Sequence, residues 1–380
     1  MGKAFRVALL SGLCALLMFP AEAEKGSNAR GAPERSLPLY LLPHFHFDSV
    51  WHQPQGGYCE WALEVAQTYL EACLEDPEFR CLLSELDYLR PLYDTAFGKR
   101  DALARLFASG RILAGFSYNQ PNDSHIGGEA FLRNLLYARY FHEGVLGSRP
   151  TAYLALDVFG HQPQLPSLCA GAGLAGMIWS KTAPGFPQNF WLMGLDGQRV
   201  PVKSIPYSLS AQSLPDLLAK IAPLAQADAN AGLPAAFSLV GGDWEEAPNY
   251  LSAPALQQAS NHFALALGGL PDALNFPSAQ VPLFSRDPSL CNPAAWVSRS
   301  DIKIGNRLAE TQILTAERVA TVAALLGARF PDSALDKAWR QVLFVQHHDA
   351  IAGTSADVPD LDLLAGLREA ADLGSDVTAR

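Results

Sequence analysis

Short apolar runs that end in polar or glycine-rich residues recur four times along the chain. The runs cover residues 39–42, 111–114, 151–156 and 236–240, and each has the length of a buried strand. Between them lie segments with apolar residues three and four positions apart, such as 62–73 and 129–141, which predict helices. Strands that alternate with helices predict a parallel sheet or barrel, in which functional groups gather beyond the carboxyl ends of the strands.

The pattern changes near residue 290, where longer helical periodicities replace the strands. One helix is predicted at 298–324, and a second begins near Asp332 and runs into residues 347–349. A third begins near Asp360, just after Pro359. We therefore expect an antiparallel helical bundle after the α/β part of the chain.

These patterns divide the chain into two predicted domains of an α/β protein. Residues 37–289 are expected to form a distorted parallel β/α barrel that carries the catalytic groups. Residues 290–380 are expected to form the helical bundle domain. Since residues 370–380 stop without a closing feature, we expect this second domain to be incomplete.

The N-terminal residues have the pattern of an export signal. Lys3 and Arg6 precede an apolar stretch at 7–19, and small residues follow it, so residues 1–23 predict a cleaved signal peptide. Residues 24–36 are rich in glycine, serine, alanine and charge, which predicts a disordered leader. The expected location is the periplasm or the outside of the cell, or an endomembrane lumen in a eukaryote.

Composition narrows the possible partners. The chain has 380 residues, is 49% hydrophobic and carries a formal net charge of −10, which argues against nucleic acid or an anionic membrane as partner. After the predicted signal no segment is long and apolar enough to be expected to cross a bilayer. The cysteines form no Cys-x-x-Cys pair, which argues against a thiolate zinc site. Export would permit a disulfide between Cys73 and Cys81, but the sequence leaves the pairing open.

Histidines and aspartates are concentrated in three blocks within otherwise apolar surroundings. Five of the nine histidines lie in the segments PHFHFD (43–48), LDVFGH (156–161) and QHHDAIAG (346–353). Burial of imidazole and carboxylate groups is costly unless each has a partner, so these blocks predict metal ligands that the fold brings together. For Asp157 and for Asp243, which ends the run at 236–240, helix N-capping from a loop is the alternative.

Taken with their flanks, the three blocks resemble glycoside hydrolase family 38, the zinc-dependent retaining α-mannosidases. The resemblance covers about residues 37–360 and is carried by HFHFDSVW (44–51), LDVFGHQPQLP (156–166) and QHHDAIAGT (346–354). It implies hydrolysis of terminal α-D-mannosides with retention of configuration. The expected substrate is an α-mannoside or a mannose-containing glycan.

The resemblance also implies a role for individual residues. The ligands of one zinc ion per chain would be His46, Asp48, Asp157 and His348. Asp157 would also be the nucleophile that attacks the anomeric carbon. Asp243 matches the acid/base of the family, which protonates the leaving oxygen.

Four neighbouring residues keep two interpretations each. Trp51 either stacks against the sugar in its subsite or packs in the core. Asp349 either binds a substrate hydroxyl or forms a helix cap or an ion pair with a nearby residue. His44 is expected to pack or to support a ligand rather than to bind the metal. His347 is open as well, because adjacent side chains on a helix point about 100° apart and only one can face the ion.

Members of the family continue into C-terminal β-domains that this sequence does not contain. We therefore expect an uncovered apolar surface and association with a partner chain, with a second copy or with the rest of a longer protein. Two other functions stay open. One is a non-catalytic mannose- or glycan-binding relative, and the other is a zinc-dependent polysaccharide deacetylase, which would need a His-x-x-x-His ligand pair that is absent here.

Overall fold

The computed structural model describes residues 37–181, 183–259, 264–277, 280–289 and 291–380, and these contain ten strands and twelve α-helices. The predicted signal peptide at 1–23 and the predicted leader at 24–36 lie outside the described residues. The strands are β1 (Pro38–Pro43), β2 (Cys81–Leu82), β3 (Ile112–Leu113), β4 (Ala152–Ala155), β5 (Gly176–Trp179), β6 (Asn189–Met193), β7 (Arg199–Ser204), β8 (Ala236–Val240), β9 (Ala264–Leu267) and β10 (Leu283–Phe284). The fold class is therefore mixed α/β.

The helices are α1 (Gln55–Glu75), α2 (Leu86–Thr95), α3 (Arg100–Ala108), α4 (Gly128–Phe141), α5 (Leu165–Gly171), α6 (Leu214–Asn230), α7 (Ala253–Ala259), α8 (Leu270–Ala273), α9 (Ser300–Leu325), α10 (Asp332–Val345), α11 (His348–Ala352) and α12 (Asp357–Ala379). The four strands predicted from apolar runs are confirmed as β1, β3, β4 and β8. The helices predicted at 62–73 and 129–141 are confirmed within α1 and α4, and the helix predicted at 298–324 is confirmed as α9, which begins two residues later.

Most strand pairs are parallel, as the alternation of strands and helices predicts. One sheet has the order β8-β1-β9, a second has the order β10-β6-β7-β5-β4, and β2 pairs with β3. Only β6 and β7 pair antiparallel among these strands. Polar residues follow the carboxyl ends of β1, β3, β4, β5 and β8. Each of these strands belongs to a parallel pair, so their carboxyl ends can face the same side.

Two helix predictions near the C-terminus are wrong in detail. The second helix does not run into residues 347–349, because α10 ends at Val345 and His347 leaves the helical conformation to pair with Pro121. The third begins at Asp357 rather than near Asp360. Pro359 then lies in its first turn, where a missing N–H costs no intrahelical hydrogen bond.

The C-terminal helices share a core with the second sheet. Ile313 of α9, Trp339 of α10 and Leu367 of α12 are buried in the same cluster as Trp179 of β5. A polar contact adds to it, because Arg133 of α4 binds both carboxylate oxygens of Glu317 on α9 at 2.8 and 2.7 Å. Residues 36–380 accordingly behave as one compact unit. Cys73 and Cys81 are free thiols with their Sγ atoms 3.7 Å apart, well beyond a disulfide bond.

Candidate metal centre and active site

The candidate site lies where β1 and β8 continue past their carboxyl ends side by side. The backbone N–H of His46 donates to the carbonyl of Gly242 at 2.8 Å, and His46 forms a parallel bridge with Asp243. Gly241 makes this approach possible, because it has φ +127° and a Cβ atom there would lie 1.9 Å from the His44 carbonyl oxygen. The two predicted blocks are therefore neighbours in space as well as at strand ends.

The four predicted ligands, His46, Asp48, Asp157 and His348, come together in one buried cluster. Each offers one ligand atom, and these atoms all lie within 4.8 Å of one another. Nε2 of His46 is 3.1 Å from Asp48 Oδ1, and Nε2 of His348 is 3.4 Å from that oxygen and 3.8 Å from Asp157 Oδ2. Neither nitrogen has a well-aligned hydrogen bond. Ring nitrogens and carboxylate oxygens that converge without hydrogen bonds are the donors that a metal such as zinc uses.

The electrostatics of the cluster also favour a bound cation. Burial lowers the pKa of His46, but the carboxylates of Asp48 and Asp157 outweigh it and raise this pKa to about 10. Burial raises the pKa of Asp48, but His46 and His348 hold it well below its usual range. Two carboxylates in a buried pocket thus demand positive charge, which a proton or a divalent ion can supply.

Gln120 fixes the orientation of two of the candidate ligands. Its carbonyl oxygen accepts hydrogen bonds from the backbone N–H and from Nδ1 of His348, each at 3.1 Å, which turns Nε2 toward the carboxylates. Its side-chain Oε1 accepts from the N–H of Leu156 at 2.6 Å, and its Nε2 donates to buried Glu85 at 2.5 Å. The orientation of a ligating imidazole is commonly set in this way. The polar residues that follow the apolar run at 111–114 do not by themselves predict this role.

Asp243 lies at the exposed edge of the cluster, next to His46. Burial raises the pKa of Asp243, His46 lowers it, and the carboxylates of Asp48 and Asp157 raise it, with a net upward shift. A raised pKa suits a group that must hold a proton near neutral pH. The N-cap alternative is wrong for Asp157 and Asp243, because α5 begins at Leu165 and α7 at Ala253.

The four residues with two interpretations are placed as follows. His44 is fully buried and its Nε2 lies 2.8 Å from the carbonyl oxygen of Tyr207, outside the ligand set. His347 caps α11, since its Nδ1 accepts from Asp349 N at 3.3 Å. Asp349 Oδ2 lies 3.6 Å from His348 Nε2, and its Oδ1 accepts from Thr354. Trp51 is exposed, with its ring tilted by 39° against that of His52, so its core interpretation is wrong.

Lys181 is a residue of the site that the sequence interpretation missed. Its ammonium contacts the carboxylate of Asp157 and lies 4.4 Å from the ring centre of Phe159. Lys181 follows the carboxyl end of β5, so the rule applied to the other strand ends would have found it. It places a positive charge beside the predicted nucleophile.

A buried pair holds the segment after Asp157. His161 Nδ1 lies 2.7 Å from Asp123 Oδ2, and the other oxygen of Asp123 accepts from the N–H of Gln162 at 2.6 Å. The His161 ring stacks on Trp179 with ring centres 4.0 Å apart. These contacts fix the carboxyl end of the segment 157–161 against Asp123 and against Trp179 of β5.

Comparison with known families identifies two consecutive domains. The family described as the glycosyl hydrolases family 38 N-terminal domain matches residues 36–222, and the alpha mannosidase middle domain matches residues 294–379. Within the described residues no helix is long and apolar enough for a transmembrane span.

The individual relatives have low sequence identity to this chain and are about three times as long. Alpha-mannosidase 2C1 of Homo sapiens is 25% identical over 337 residues, which cover 83% of this chain and 32% of that protein. Alpha-mannosidase G of Dictyostelium discoideum is 25% identical over 365 residues, 90% of this chain and 33% of that protein. The chain thus spans about a third of the length of the curated relatives it matches.

A solved structure supports the same assignment at the level of the fold. An alpha-mannosidase from Enterococcus faecalis V583 superposes with a TM-score of 0.80 at 19% identity, over 90% of this chain and 42% of that one. The two family domains match in their natural order and together cover about seven tenths of the sequence. The chain therefore belongs to glycoside hydrolase family 38.

Proposed function

We propose that this chain carries the catalytic site of a zinc-dependent retaining α-mannosidase that removes terminal α-D-mannosyl residues from mannosides or glycans. The observation that carries the proposal is the convergence of His46, Asp48, Asp157 and His348, with Asp243 bridged to His46 at the open edge. A retaining glycosidase needs a nucleophilic carboxylate and a second carboxyl that holds a proton. Asp157 and Asp243 supply both.

Each side chain has a defined task in this proposal. Bound zinc would supply a positive charge that binds two neighbouring hydroxyls of the sugar, and so would favour the hydroxyl arrangement of mannose. Asp157 attacks the anomeric carbon and forms a covalent glycosyl ester, while Asp243 gives its proton to the leaving oxygen. Asp243 then takes a proton from the water that hydrolyses the ester. Lys181 contacts the free carboxylate of Asp157 and so orients it for the attack.

The proposal includes a closed, distorted barrel and an antiparallel bundle. Two single bridges support ring closure, His44 with Leu82 between β1 and β2, and Leu209 with Gly241 between the segment after β7 and the end of β8. The N–H of Phe116, beyond β3, donates to Ala152 of β4 at 3.0 Å. The mutual packing of α9, α10 and α12 supports the bundle.

The test of the catalytic roles uses two variants and two leaving groups. Asp157→Ala should remove activity on every mannoside, because no covalent intermediate can form. Asp243→Ala should damage alkyl mannosides severely and aryl mannosides with acidic leaving groups much less, and azide should restore turnover of the aryl substrate with retained configuration. Equal losses on both substrates without azide rescue would remove Asp243 from the acid/base role.

Metal analysis tests the cofactor and the competing function. The purified chain should hold about one zinc per chain, and a chelator should abolish hydrolysis until zinc is returned. A different stoichiometric metal that restores activity would refute zinc but keep the enzyme. A wild-type chain that binds mannose and hydrolyses no mannoside would instead favour the non-catalytic glycan-binding relative.

Export and association are further parts of the proposal. Lys3, Arg6 and the apolar stretch at 7–19 support a cleaved signal, which N-terminal sequencing of the mature protein would test. Exposed apolar side chains on α9, among them Leu308, Val322 and Leu325, support association with a partner chain or a second copy. Sedimentation of a monodisperse monomer at all concentrations would contradict self-association.

A further inference from the structure

An aromatic cluster lies directly beside Asp243. Trp244, the next residue, stacks on Tyr58 and on Trp61, with ring centres 5.0 Å apart in both pairs and interplanar angles of 22° and 16°. Phe47 meets the same indole edge-on at 5.4 Å. Tyr58 and Trp61 are one turn apart on α1, so they present their rings on the same face of the helix.

The backbone holds Trp244 in an unfavourable conformation. Trp244 has φ +60°, and Arg299 is the only other non-glycine residue with positive φ in the described part of the chain. Bulky side chains rarely adopt this region, and such strain is found mostly at binding and catalytic sites. The N–H of Trp244 donates to the carbonyl of His46 at 3.3 Å, which ties the strained residue to a candidate metal ligand.

The cluster is open to solvent on its outer side. Tyr58 is buried, but 44% of Trp61 is exposed, which is unusual for a tryptophan already stacked on another indole. Phe47 lies between the candidate ligands His46 and Asp48 in the chain, and Trp61 is exposed, so the cluster reaches from the candidate metal centre to the surface. The acidic residues Asp243 and Glu245 flank Trp244 in the chain, and neither is fully buried.

This composition fits one kind of ligand. A pyranose has a face of C–H bonds that packs on an aromatic ring and a rim of hydroxyls that bond to carboxylates. The carboxylates of Asp243 and Glu245, on either side of Trp244 in the chain, disfavour an anionic ligand by charge repulsion. In the proposed mechanism Asp243 protonates the leaving oxygen, so the sugar that carries this oxygen lies next to Asp243 and its neighbour Trp244.

We propose that Trp61 and Trp244 form the binding site for the leaving-group sugar, which is a neutral pyranose. This inference rests on the proposed function, because the acid/base role of Asp243 is what makes the neighbouring surface the leaving-group side. It implies that the natural substrate is a mannosyl-linked oligosaccharide rather than a mannoside of a small or anionic alcohol.

Binding measurements test the subsite separately from catalysis. A sulfur-linked α-mannobiose, which resists hydrolysis, and methyl α-mannoside are titrated into the zinc-loaded wild type and the variant Trp61→Ala. The disaccharide should bind the wild type more tightly, and Trp61→Ala should weaken the disaccharide about two- to tenfold more than the monosaccharide. Trp61→Phe, which keeps an aromatic face, should recover most of the difference. Phe97→Ala removes an exposed ring outside the cluster and should leave the affinity for both ligands unchanged.

Three results would overturn the subsite: equal affinities of the wild type for both ligands, no binding of either, or an unchanged preference in Trp61→Ala. A Trp61→Ala chain that loses its fold gives no preference to interpret, and Trp61→Phe then decides by keeping or losing the preference for the disaccharide. If the disaccharide preference depends on Trp61 but no mannoside is hydrolysed, the proposed catalysis fails while the sugar site stands.

Discussion

Gln120→Ala should weaken metal binding although Gln120 is not a candidate ligand. The variant removes the acceptor of the Leu156 N–H, at 2.6 Å, and the donor to Glu85, at 2.5 Å, and both partners are fully buried. A buried N–H left without a partner costs about 1–3 kcal/mol, and the loss at the Glu85 carboxyl is similar. The free energy of unfolding should therefore fall by about 2–6 kcal/mol, compared with the total of about 5–15 kcal/mol that is usual for a native domain.

The expected loss of metal affinity follows from the position of Gln120 next to two candidate ligands. Leu156 immediately precedes Asp157, and the Gln120 carbonyl orients His348, so looser packing at Gln120 misplaces two candidate ligands at once. Loss of such supporting contacts typically lowers metal affinity by about 10–100-fold. The assay combines urea unfolding of metal-free protein with zinc titration against a chromophoric chelator.

The control for this variant is Gln188→Ala. Gln188 donates to the carbonyl of Leu224 at 3.0 Å and to Asp228 at 2.6 Å, in a different polar cluster. It should lose stability and keep the wild-type zinc affinity. If Gln120→Ala also keeps wild-type zinc affinity, or if both variants lose it equally, the role assigned to Gln120 is refuted.

Three further predictions concern single residues. His348→Ala should lower the metal content from about one per chain to none, and full retention would remove His348 from the ligand set. Lys181→Met should tighten zinc binding, because it removes a competing cation from Asp157, and weaker zinc binding would contradict this. The same variant should slow hydrolysis, because it also removes the contact that orients the carboxylate of Asp157. Burial lowers the folded-state pKa of His142 from 6.5 to about 4, so the unfolded chain takes up the proton first as the pH falls. Stability should therefore drop by about 2 kcal/mol between about pH 7.5 and about pH 5 from this group, and a His142→Asn variant with an unchanged pH slope in urea unfolding would refute the assignment.

Much of the fold could be predicted from the sequence because strand ends and helix faces leave local patterns. The apolar runs before His46, Asp157 and Asp243 define strands that the structure contains, and the residue types at their ends predict the cluster that forms. Lys181 was missed although it follows the end of β5 in the same way, since a lone lysine after a strand carries no motif. Trp61 was missed because its apolar position on α1 is indistinguishable from a core position in one dimension.

The break between α10 and α11 could not be predicted, because its cause is remote in sequence. The side-chain amide of Asn119 donates to the carbonyl of Leu343 at 2.9 Å, and the backbone N–H of Asn122 donates to the carbonyl of Gln346 at 3.1 Å. His347 in addition forms a β-bridge with Pro121. These bonds occupy carbonyls that a continuing helix would have used, so the chain turns at His347.

The same break explains how a histidine from the C-terminal helices reaches a site built at strand ends. Had α10 continued, His347 and His348 would lie about 100° apart around one axis, and the orientation of each would depend on the tilt of the whole helix. With the break, the backbone N–H and the imidazole of His348 both bond to the carbonyl of Gln120, which follows β3. The polar segment after β3 therefore couples the helices to the sheet, and the fourth candidate ligand is positioned only when the two have docked.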